Sequence, residues 1–135
     1  MWQAETATAA TLFAIHFLVG AGLVVAFLVL YSLTTPHKEH KLIRAGNAAA
    51  AVGLVGATIG FALPLNLIFA VTASALEAAI WGAVVLGMQI LAHMAARIAM
   101  PKLTSDFNEG KVSAGVVQAG VGLVVGMITA AALTP

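Results

Sequence analysis

Cysteine is absent from the 135 residues, and charge is scarce: six Lys and Arg with five Asp and Glu make up 8% of the chain, against roughly a quarter in an ordinary soluble domain. The first absence removes disulfides, thiolate metal sites, iron–sulfur clusters and a cysteine nucleophile together. The second removes a water-soluble surface, because 61% of the residues are hydrophobic. A formal charge of +1 also excludes a nucleic-acid binder, which has to neutralise several phosphates. No nucleophile–base pair, phosphate-cradling glycine loop or pair of carboxylates stands where chemistry would use it, so an enzyme is the class the sequence supports least.

What is present is long apolar sequence. Four stretches, near residues 11–34, 47–71, 74–99 and 112–133, each hold at least 20 residues, enough to cross a hydrocarbon core of about 30 Å. Met1 to Glu5 provide no positive n-region, and the first run is too long for a signal-peptide core, so it reads as a retained span. The turn Thr72-Ala73-Ser74 joins the second and third spans, and polar loops join the others. The expected fold is all-α: one polytopic membrane domain over residues 1–135 with four transmembrane helices. Lys38, Lys41 and Arg44 lie in the first loop, and Arg97, Lys102 and Lys111 flank the second. Random placement puts all six on one side about one time in 32, and such cations mark the cytoplasmic face. Both termini are therefore expected outside.

The two hairpins look alike. Pro36 is followed ten residues on by Gly46 and Pro101 nine residues on by Gly110, after which Ala50 aligns with Ala114 and Gly56 with Gly120. The domain thus reads as two parallel helical-hairpin repeats, about 11–71 and 74–133, related by an axis along the membrane normal.

The stretch TTPHKEHKLIRAGNAAAAVGLVGATIGFALPL, then an IWG segment, MP and EGKVSAGVVQAG, resembles the YjfL-type bacterial inner-membrane family, the domain-of-unknown-function family numbered three hundred and fifty. The resemblance runs from about residue 15 to the end. Lys111 departs from it, standing where an Asn matching Asn47 is expected. The resemblance implies a four-helix inner-membrane protein without an established biochemical activity. Gene neighbourhoods holding PspA-like membrane-remodelling proteins and ATP-grasp peptide ligases add an implied envelope-stress role.

Helices in lipid associate through small residues and scarce polar contacts. Gly53, Gly56 and Gly60 in the second span, and Gly122 and Gly126 in the fourth, are the candidate packing positions, serving one bundle, a homo-oligomer, or both. Pro64 marks a kink that deprives the Gly60 carbonyl of its usual donor; a side chain, a water or an ion has to replace it. Ser74-Ala75-Leu76-Glu77 has the form of a capping box, with a pore mouth as the other reading of Glu77.

Counted from the loops, His93 and Gln118 lie eight residues in, Gln89 and Thr58 twelve, His16 and Asn66 twenty. These are depths of roughly 12, 18 and 30 Å. Two readings share these residues: interhelical hydrogen bonds, or a proton or cation path from Arg97 and His93 past Gln89 to His16 and Glu77. A bis-histidine haem needs two imidazoles at one depth, so no cofactor is expected, and two histidines with one glutamate in the first loop make a poor metal site. That loop, His37 to Arg44, is expected to dip Leu42 and Ile43 inward and turn its cations to anionic lipid or a partner. The function expected is a self-associating inner-membrane protein presenting basic cytoplasmic loops to lipid or protein, with a homo-oligomeric ion or proton pathway as the alternative.

Overall fold

The computed structural model describes residues 2–36 and 38–134. Six helices follow in order: α1 (Trp2–Thr34), α2 (Glu39–Arg44), α3 (Ala48–Val71), α4 (Ala75–Ala99), α5 (Leu103–Asn108) and α6 (Val112–Leu133). No strand occurs among the described residues. The four long helices are the four expected spans. α1 starts well before the apolar run because its first hydroxyls are met inside the helix: Thr6, Thr8 and Thr11 each donate to the carbonyl four residues back. At 33 residues it is about 50 Å long, roughly 15 Å longer than its neighbours.

The loops are more structured than their polarity suggests. Each holds a six-residue helix and then a glycine at positive φ, +83° at Gly46 and +73° at Gly110, where a Cβ is strained. An extended residue, Asn47 or Lys111, then starts the next long helix. Asn47 does two jobs. Its Oδ1 accepts from the Ala50 amide at 3.0 Å, capping α3, and its Nδ2 donates to the Phe107 carbonyl at 2.7 Å, tying the first loop to the second. Ala49, Ala50, Leu103, Phe107 and Ala114 form a small core at this loop end, with Leu42 and Ile43 packed on it. His37 lies outside the described residues. At the opposite, terminal end, Ser74 Oγ accepts from the Glu77 amide at 3.0 Å and starts α4.

α3 and α6 are the closest pair. A Cβ on Gly60 would strike the Gly122 carbonyl, one on Gly126 the Gly60 carbonyl, and one on Gly56 the Cβ of Ala119. Gly53 closes on Phe107, and Gly122 on Ala57. Backbone thus meets backbone, the arrangement that dispersion favours when lipid tails compete with apolar side chains. α4 packs across both helices, and α1 lies against α4 and α3. Phe27, Phe61, Leu65, Ile68 and Val85 fill the main core.

Candidate functional site

The polar interior grows from one proline. Pro64 has no N–H, so the Gly60 carbonyl loses its helical donor, and yet α3 continues unbroken through that position. Gln89 Nε2 supplies the donor, reaching Gly60 O at 3.0 Å and Gly122 O at 3.2 Å. One side chain of α4 therefore stitches α3 to α6 where their backbones are closest. An orphan carbonyl in hydrocarbon costs several kcal/mol, which gives the amide a structural purpose.

One turn toward the loops, Gln118 Nε2 donates to the Tyr31 hydroxyl at 3.2 Å. The His93 ring meets Tyr31 edge-on, with centroids 5.2 Å apart. Gln89, His93 and Gln118 have no exposed surface. Beyond them Arg97 Nη2 donates to the Thr34 carbonyl at 2.8 Å, in the last turn of α1, where carbonyls lack helical partners.

Two members of this cluster are not evident from the sequence. Tyr31 reads there as part of an apolar run; its signal was to be the chain's one tyrosine, a ring that needs a partner for its hydroxyl when buried. Glu39 falls in the polar first loop, outside the four apolar stretches, so counting depth along the spans gives no reason to join it to the cluster. In the structure Glu39 is 2% exposed and interacts electrostatically with Tyr31, His93 and Arg97. The reason is helical spacing: residues 39, 42 and 43 share a face, so seating Leu42 and Ile43 on the core seats Glu39 with them. Lys38, His40, Lys41 and Arg44 remain exposed.

The other candidates lie elsewhere. Thr58 donates to its own helix at the Leu54 carbonyl, 2.7 Å away, and does not meet Gln89. His16 Nδ1 bonds the Leu12 carbonyl at 2.8 Å, and its ring packs against Phe69 beside an apolar groove of about 580 Å³. Asn66 and Glu77 are exposed on the outside of the bundle. Between these groups and the polar cluster stands an apolar plug in which Phe27 and Phe61 stack with centroids 4.8 Å apart, backed by Leu65, Ile68 and Val85. The line from Arg97 and His93 through Gln89 to His16 and Glu77 is therefore interrupted within one chain.

The second loop carries its charges differently. Lys111 pairs with Asp106 and Glu109, both at 3.1 Å, and these contacts, the Asp106 hydrogen bond first, hold its ammonium pKa above the ordinary value. Among the described residues no three His, Asp or Glu side chains converge as a metal site would require. The chemistry within reach of the cluster is hydrogen bonding and charge pairing.

Residues 5–133 match the family model described as Domain of Unknown Function (DUF350). The chain is also similar to the UPF0719 inner membrane protein YjfL of Escherichia coli K12, with 31% identity over 122 residues covering 90% of this chain and 92% of that one. The YjfL protein of Escherichia coli O157:H7 matches to the same extent. No solved structure matches. A model match over nearly the whole chain and a relative covered almost end to end agree with four apolar helices on one answer: the chain belongs to the DUF350 family of integral inner-membrane proteins.

Proposed function

We propose that the protein is a non-enzymatic membrane scaffold that self-associates and presents its loop end, on the cytoplasmic side, to anionic lipid headgroups or to a partner protein with an acidic surface. The observation that carries this reading is the sorting on α2. Leu42, Ile43 and Glu39 are turned into the bundle, while Lys38, Lys41 and Arg44 are turned out. With the one acid of the helix removed inward, the exposed side carries cations and His40 but no acid, and each cation near an anionic surface contributes about 1 kcal/mol. Gly87 on α4 and Gly120 on α6 face open space, which leaves small-residue faces for a second copy. An envelope-stress role belongs to the same proposal through the family resemblance.

Replacing Lys38, Lys41 and Arg44 together by Gln tests the reading. Native mass spectrometry should show the wild-type protein enriched in anionic lipid and the triple variant without that enrichment, with insertion and helix content unchanged. Equal lipid profiles with equal crosslinking to other proteins would overturn it. A C-terminal reporter fusion active only in the cytoplasm would reverse the orientation.

A second reading, an ion or proton pathway, is favoured by the buried Gln89, His93 and Gln118. The stacked Phe27 and Phe61 oppose it. Purified protein in liposomes should leave an imposed proton or potassium gradient standing; dissipation that is lost in His93→Gln, a variant that keeps hydrogen-bonding capacity but cannot titrate, would put the pathway first.

A further inference from the structure

The cluster between Tyr31 and Arg97 contains more hydrogen-bonding capacity than its own side chains use. Gln89 Oε1, Gln118 Oε1, both ring nitrogens of His93 and Nη1 of Arg97 are fully buried and have no hydrogen-bond partner among the described residues. Lipid tails satisfy none of them, and each orphan in hydrocarbon costs several kcal/mol.

The types of the orphans narrow the ligand. Two amide oxygens accept only, the Arg97 nitrogen donates only, and a neutral imidazole does one of each. A metal cation or ammonium would meet the acceptors but stand beside the Arg97 guanidinium. An anion would meet Arg97 but face two amide oxygens and the nearby Glu39 carboxylate. A small neutral molecule that both donates and accepts fits every group, and water is the one at hand. Arg97 stands on the side of entry: with Thr34, Pro36, Met94, Ile98 and Thr104 it lines an open cavity of about 300 Å³ at the loop end, and its charge acts on His93 and Tyr31 behind it. The other end is shut by Phe27 against Phe61.

We propose that the loop-end half of the bundle is a water-binding chamber, entered past Arg97 and ending below the Phe27–Phe61 plug, in which His93, Gln89 and Gln118 are bridged by internal water. This site is independent of the cationic surface of α2, so it survives if that surface binds nothing.

The chain has three glutamines, Gln3, Gln89 and Gln118, which makes a sparse probe. In lipid bilayers, solid-state NMR with magnetisation transferred from water reads the side-chain amides of glutamine and the ring nitrogens of histidine. Exposed Gln3 is the wet reference and the Leu65 methyls the dry one. Gln89, Gln118 and His93 are expected to build up signal within about twofold of Gln3, and at least fivefold faster than Leu65. In His93→Phe, which removes two of the orphan atoms and fills the space, transfer to Gln118 should drop toward the dry level. Build-up at the Leu65 rate in the wild type would mean that the side chains pair directly with one another, and would overturn the chamber. Chemical shifts that follow added sodium, ammonium or chloride would overturn it in favour of that ion. If His93→Phe does not fold, the wild-type comparison with Gln3 and Leu65 decides alone.

Discussion

α1 and α3 run side by side through the same bundle and are held in opposite ways. The most apolar 18-residue stretch of α1 exceeds that of any other long helix in hydropathy and is the least buried; that of α3 is buried most of all. Only Phe27 and Tyr31 of α1 are buried, whereas α3 buries ten residues, among them Gly53, Gly56 and Gly60. In water the ranking would be reversed, because apolar area would drive packing. In lipid, apolarity confers residence in the bilayer and nothing more, and attachment comes from small residues and polar bonds.

The comparison is broken most severely at the glycines of the seam. Gly60→Leu should abolish the α3–α6 contact, because the new Cβ meets the Gly122 carbonyl, which is backbone and cannot swing aside. Gly22→Leu on α1, where nothing lies within 4 Å, should behave as wild type. Expression yield and thermal melting in mild detergent, followed by far-UV circular dichroism, read both; equal behaviour would show the seam to be incidental.

Gln89→Leu comes next. It keeps the volume but strands the Gly60 carbonyl, so a loss of about 2–4 kcal/mol is expected, seen as a lower melting point without loss of insertion. Tyr31→Phe, which removes one hydrogen bond to Gln118, should cost about 0.6–1.7 kcal/mol and loosen α1 specifically, measurable as faster amide exchange near residues 27–34.

The smallest effect is expected outside the membrane. The pKa of Lys111 is raised in the folded protein, so its contribution is complete below the ordinary value near 10.5 and is lost as pH rises through the higher folded value. The side chain is half-exposed, and such a pair is screened. Lys111→Gln should leave the melting point unchanged within error at pH 7.

What was legible in the sequence is what depends on near neighbours. The lengths of the last three spans, the Thr72-Ala73-Ser74 turn and the Ser74 cap rest on residues at most a few positions apart, and the structure has them; α1 begins nine residues before its apolar run. The freed Gly60 carbonyl was legible too, since proline's missing N–H is a local fact. The identity of its donor was not, because Gln89 lies 29 residues away and only the crossing of α4 brings it there. Counting depth put Gln89 level with Thr58, but a threonine hydroxyl within a helix finds its own carbonyl first. The burial of Glu39 is not legible, because the short helix that buries it is held by tertiary contacts of Leu42 and Ile43 with the loop-end core.

The proline in α3 also bears on how the chain is made. Ribosomes deliver the N-terminus first, so α3 leaves with its Gly60 carbonyl unmet, and the amide that will meet it follows 29 residues later. At about 5–20 residues per second that interval lasts a few seconds. Gly122, the other carbonyl on the same amide, follows 33 residues after Gln89. A helix in that condition is a poor candidate for early release into lipid, and the insertion machinery gains a reason to retain α3 until α4, and then α6, stand beside it. The second hairpin is in this sense the chaperone of the first.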